Sequence, residues 1–181
     1  VVLAAGDDAS AARLVPWGPR AQAARGDALA LAQMAFRALD EKAAARALAA
    51  GGGFVVAGAR FGGGPQEEAA ARVLAALGVR VVLASTYDGG QERQLALHGV
   101  LPLRWQRPDD TAALAAGDTL EIAGLPEALA PERRLAIRDL THGRTFLVSH
   151  ALAPHLLDVV REGGLLGLIK RAQVPAGGSA T

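Results

Sequence analysis

The stretch FVVAGARFGGGPQEEAAARVLAALGVRVVLAS, residues 54–85, decides the fold. FVVAGA (54–59) is an unbroken apolar run of strand length, as expected for a strand buried on both faces. Gly62, Gly63 and Gly64 then form a loop, and an alanine-rich helix is expected over about 66–77, stopped by Gly78. VRVVLAS (79–85) reads as a second buried strand. Strand, helix and strand in that order imply a right-handed parallel crossover. Val73, Leu74 and Leu77 share one side of the helix and are expected to face the sheet.

Upstream, VVLAAG (1–6) reads as a short strand followed by the polar turn DDAS. Residues 16–27 contain two prolines and two glycines and read as irregular. Residues 28–49 read as one apolar helix carrying Met34, Phe36 and Leu39, ended by the glycines at 51–53. Downstream, a helix over roughly 90–98 leads into VLPLRW (100–105). The second half changes character. TLEIAG (119–124), RLAIRD (134–139) and RTFLVS (144–149) alternate like half-exposed strands, with Thr141-His142-Gly143 as a hairpin turn. ALAPHLLDVVREGG (151–164) reads as a helix with Leu156, Val159 and Val160 on its buried face. The class is therefore α/β, a single unit over 1–173 with a parallel βαβ core and an antiparallel β section, followed by a disordered tail at 174–181.

Composition bounds the function. With 51% hydrophobic residues in a chain of 181, a sizeable core is available, although alanine inflates the figure and only 4% of residues are aromatic. Nineteen basic and eighteen acidic residues leave a net charge of +1, and no basic run is interleaved with aromatics, so nucleic-acid binding is not expected. There is no cysteine, which excludes disulfides, thiolate catalysis and thiolate-ligated clusters within this chain. No apolar run approaches a membrane span and no signal-peptide pattern opens the chain, so a soluble, cytoplasmic protein with no membrane partner is expected. The start at Val1 rather than methionine fits a fragment or a processed chain.

A glycine loop feeding a helix start can hold an anion, because its backbone lies open to close approach and the first helical N–H groups lack partners. Here the signal is weak. A phosphate-binding P-loop needs Lys and then Ser or Thr after its last glycine, whereas Pro65 and Gln66 follow Gly64. The spacing of Gly58, Gly62, Gly63 and Gly64 does not make a dinucleotide fingerprint either. The structural alternative places Pro65 as the first helical residue, with Glu67 and Glu68 complementing the helix dipole. Adjacent helix residues point about 100° apart, so these two acids are not expected to share a substrate. His98, His142, His150 and His155 show no helical metal-ligand spacing and read as structural or solvent-facing.

Taken in order, these stretches resemble the C-terminal swivelling domain of the aconitase and isopropylmalate dehydratase family. The loop and helix at 61–71 are similar to the family's G-x-G-S-S-R loop, and LALHGVLPLRW (95–105) to its helix and G-I/V-L-P-L segment. GDTLEIAGLPEAL (117–129) resembles its G-D-x-L-x-I-x-G-L stretch, REGGLLGLIKR (161–171) its terminal glycine pair, and GDDASAARLVPWG (6–18) its upstream T-T-D-H motif. The resemblance implies a swivelling β/β/α domain that forms part of a hydro-lyase. In the family the 4Fe–4S cluster is carried by another domain or large subunit. It therefore implies no cofactor in this chain, a cluster-bearing partner, and a hydroxy-acid substrate.

The departures fall on the chemistry. In the family, the first serine of Ser-Ser-Arg is the catalytic base and the arginine binds a substrate carboxylate; Pro65, Gln66 and Glu67 stand there. Proline accepts no proton, and glutamate reverses the sign of a clamp that depends on the guanidinium fork. Ala12 and Arg13 stand where the family's Asp-His pair is expected. Arg25 lines up with the family's substrate-binding arginine, and with Gly62, Gly63, Gly64 and Gln66 completes the candidate substrate-binding set. Two readings follow from the resemblance. One is a degenerate structural or docking component of a two-part dehydratase; the other is a substrate-binding component of an active one. A third reading, an unrelated nucleotide-binding α/β domain, has only the broken phosphate motifs behind it.

Overall fold

The computed structural model describes residues 1–16, 18–24, 26–124, 129 and 134–173. The expected tail at 174–181 lies outside them. In chain order the elements are β1 (Leu3–Ala4), α1 (Ala11–Leu14), α2 (Pro19–Ala23), α3 (Ala28–Gln33), α4 (Ala43–Ala50), β2 (Gly53–Val56) and α5 (Glu67–Ala76). There follow β3 (Val79–Ala84), α6 (Gln91–Leu97), β4 (Leu101–Trp105), a 3-10 turn (Pro108–Ala113) and β5 (Leu120–Glu121). The chain continues through β6 (Arg134–Asp139), β7 (Arg144–Ser149), α7 (Pro154–Arg161) and α8 (Leu165–Gln173).

Among the described residues one mixed sheet runs β1-β2-β3-β4-β7-β6-β5. β1 to β4 are parallel, with β2 beside β3 as expected from 54–85, and the hairpin β6–β7 expected from 134–149 joins antiparallel to β4. β5 is antiparallel to β6 at the far edge. The sheet curls: the Gly117 amide, just ahead of β5, donates to the Val1 carbonyl beside β1 at 2.9 Å. Val79, Val82 and Ala84 of β3 pack on the layer formed by α1, α3, α4 and α5. Val81 and Leu83 of the same strand join the other core with Leu103, Ile137 and Val148. Both faces of β3 are thus buried, which is why its sequence shows no alternation. Val73, Leu74 and Leu77 are 0%, 0% and 2% exposed, as expected of the sheet-facing side of α5.

Four expectations need correction. The run 28–49 is two helices, not one. Asp27 caps α3 by accepting from the Leu29 and Ala30 amides at 2.9 and 3.0 Å. The chain then turns at Phe36, whose φ of +64° costs a bulky residue about 1–3 kcal/mol. Its ring is 1% exposed. Burial of that ring outweighs the helix preference of the surrounding alanines, a weak local bias that tertiary packing overrides. Second, the segment read as irregular at 16–27 holds α2, which Pro19 starts and Ala24 ends. Third, Pro65 is not the first helical residue: α5 begins at Glu67, with Gln66 at the cap. Fourth, Leu157 and Val159 are the buried residues of α7, while Leu156 and Val160 are partly buried at its flank.

The hairpin turn is fixed by Asp139. Its carboxylate accepts from the Thr141 amide (3.0 Å), the His142 amide (3.2 Å) and the His142 ring (2.8 Å). Desolvation opposes ionisation of Asp139, but these hydrogen bonds outweigh it and hold its pKa below the ordinary aspartate value. A lowered folded-state pKa means that its stabilisation is complete above the ordinary aspartate range and is lost as pH falls through the folded-state value. Asp139→Asn should therefore lower the urea midpoint at neutral pH, and the gap from the parent should close between about pH 5 and pH 2. A gap that stays constant across this range would exclude Asp139 as the acid-labile element of the hairpin.

Candidate functional site

The carboxyl ends of β1, β2 and β3 deliver three loops to one edge of the sheet, where open α/β folds place ligands. The loop after β2 is stitched to both neighbours. On one side the Gly62 amide donates to Ala9 at 2.9 Å and the Ala11 amide to Gly63 at 3.1 Å. On the other, the Phe61 amide donates to Thr86 at 3.0 Å and the Asp88 amide to Phe61 at 3.1 Å. Asp7 accepts from the Ala59 amide at 2.7 Å. The Arg60 guanidinium grips the Asp8 carboxylate with Nε at 2.5 Å and Nη2 at 2.6 Å. That pairing holds the Asp8 carboxyl below its usual pKa and pushes the Arg60 guanidinium up. Asp8 and Arg60 both adopt left-handed backbone, at φ +56° and +57°. Two strained residues joined by one bidentate pair mark a rigid junction between the loops.

The glycines meet different surroundings. Gly62 lies at φ +88°, and a Cβ there would stand 2.2 Å from Cγ of Gln91, so only glycine fits. A Cβ on Gly63 would meet Asp88 at 2.6 Å, whereas one on Gly64 would meet nothing. Gln91 opens α6, is fully buried, and has neither amide atom hydrogen-bonded among the described residues. No motif or spacing marks Gln91 in the sequence. Glu67 Oε2 accepts from the Gly90 amide at 3.0 Å, tying the start of α5 to the start of α6.

The segment from α4 to β4 also matches a known family, since the aconitase C-terminal domain profile covers residues 41–108. Among solved structures, 3-isopropylmalate dehydratase from Methanocaldococcus jannaschii superposes with a TM-score of 0.74 over 93% of this chain and 90% of that one, at 22% identity. By fold, this is an aconitase-like C-terminal domain. No curated protein sequence matches the chain.

Within this aconitase-like domain, the family's loop positions are distributed as follows. Pro65 is exposed and Gln66 half-buried, both lining a hollow of about 420 Å³ with Glu68 and Arg72. Gln66 Oε1 is buried and has no hydrogen bond among the described residues. Ala12 and Arg13 are exposed on α1, and Arg13 Nη1 donates to the Asp8 carbonyl at 3.3 Å. Arg25 lies outside the described residues. The histidines are scattered. His98 ends α6, where burial lowers its pKa against the opposing pull of Glu68. His142 is in the hairpin turn, His150 is buried at 3% exposure, and His155 is exposed on α7. Among the described residues no group of three or more His, Asp or Glu side chains could hold a metal ion. With no cysteine in the chain, its residues do not fit a thiolate-ligated 4Fe–4S cluster. No helix among the described residues is long and apolar enough to cross a membrane.

Proposed function

We propose that this aconitase-like domain is the swivelling component of a two-part dehydratase, degenerate at its own active-site loop and serving as a structural or docking element. One observation carries the reading. The carboxylate of Glu67, at the family's substrate-clamping position, accepts the Gly90 amide and so braces two helix starts. Pro65, at the position of the family's base, has no group that can take a proton. A cluster-bearing aconitase-like domain or large subunit is the partner, because the Lewis acid for hydroxyl departure has no ligands here.

The test is co-expression with such a partner, followed by size-exclusion chromatography and iron analysis. A complex should form, with its iron in the partner. The chain alone should show no cluster absorbance and no dehydration of citrate or isopropylmalate. Failure to form a complex, or turnover by the purified chain alone, would overturn the proposal. Turnover of a hydroxy acid by the complex but not by the partner alone would replace it with the active, substrate-binding reading.

A further inference from the structure

None of the nine residues of α8 is buried. Leu166 is 75% exposed, Leu165 44% and Ile169 43%, and their spacing sets all three on one side of the helix. The helix is nonetheless firmly rooted. Gly163 and Gly164, just ahead of it, cross the end of α6 with backbone against backbone. A Cβ on Gly99 would stand 2.3 Å from the Gly163 carbonyl carbon, and one on Gly164 3.0 Å from that of His98. Arg171 pairs with Glu162, which holds the far end of α8 to the end of α7. A helix this short is marginal in water on its own propensity, and an apolar stripe held rigidly in solvent marks an interaction surface.

The charges beside the stripe differ at its two ends. At the N-terminal end, Leu165 and Leu166 line a hollow of about 460 Å³ with Leu97, His98 and Glu68. At the other end stands Lys170. Glu68 and Lys170 are both exposed, and neither side chain makes a hydrogen bond or ion pair among the described residues. A two-fold interface needs a surface that complements itself, since each contact is made twice. With two α8 helices antiparallel and Leu166 of one copy against Ile169 of the other, Lys170 lies opposite Leu165. The lysine stem then covers Leu165, and its ammonium group reaches Glu68 in the hollow. We propose that this face binds a second copy of the chain, through an antiparallel two-fold pairing of α8 flanked by two Lys170–Glu68 ion pairs. An anionic membrane would be repelled by Glu68, and a different protein would not need acid and base at opposite ends of one stripe. The pairing does not depend on the docking role.

The experiment is sedimentation velocity of the full chain at low salt, from about 10 μM to about 1 mM, because interfaces this small are weak. The mass should rise from monomer towards dimer with concentration. Lys170→Glu and Glu68→Lys should each weaken the association about tenfold, and the double variant, which restores opposite charges, should recover it. Leu166→Glu should abolish it. All four positions of change are exposed, so urea midpoints close to the parent's should confirm that each variant is folded. A monomer at every concentration, a dimer that survives Leu166→Glu, or a double variant as weak as the single ones would each overturn the proposal. Hydrogen exchange over 165–170 reads the other occupants. Protection that appears only with a cluster-bearing partner, or only with vesicles of anionic lipid, would assign the face elsewhere and overturn the proposal too. No such partner enters the sedimentation runs, so their failure leaves the docking test unaffected.

Discussion

Leu74→Ala should lower the free energy of unfolding by about 2–5 kcal/mol. Leu74 is fully buried on α5, the helix that crosses from β2 to β3 and also packs against α1, α3 and α6. Its helical neighbours Ala70 and Ala71 are buried too, and their small side chains bring the helix close to its surroundings. Removing the isobutyl group loses its transfer free energy and leaves a cavity that alanines cannot collapse to fill. Urea unfolding should show a lower midpoint with an unchanged slope, because the surface exposed on unfolding is nearly the same. A loss below about 1 kcal/mol would mean that the crossover is not part of the main cooperative core.

The second large effect is expected at the loop. Replacing Pro65, Gln66 and Glu67 by Ser, Ser and Arg restores the family's Ser-Ser-Arg pattern and returns a guanidinium to the clamp position. In the presence of a cluster-bearing partner, tricarballylate should then bind about ten- to hundredfold more tightly, the value of one charge-assisted pair. Turnover should gain less, because Ala12 and Arg13 still stand at the family's Asp-His positions. Glu67→Arg also removes the acceptor of the Gly90 amide, at a cost of about 1 kcal/mol for a half-exposed hydrogen bond, so stability should fall as affinity rises. Parent and variant are best compared by calorimetry at low salt. Equal affinity would show that this loop does not hold the anion, leaving its glycines as a turn that lets a helix start.

Gly62 shows why the loop was only half legible. Its place in a glycine run was plain, but the side chain that excludes a Cβ there belongs to Gln91, 29 residues later. Gln91 itself carried no signal, since a glutamine before a charged helix reads as solvent-facing until the helix is docked. The Asp8–Arg60 junction was hidden for the same reason: its partners stand 52 residues apart and meet only because β1 and β2 are neighbours. The turn at Phe36 was lost inside an alanine-rich run whose local preference favours continued helix.

Residues 54–85 determined the parallel crossover by themselves, because strand length, glycine punctuation and a helical face are local properties. The alternation in 134–149 likewise determined the hairpin, and the missing cysteines determined that no thiolate cluster is held here. Only the tertiary structure decided that Glu67 braces Gly90 and that Glu68 meets Leu165 and Leu166 at one hollow. Those outcomes depend on which loops the curled sheet brings together, and sequence spacing does not encode distances between segments joined through a sheet.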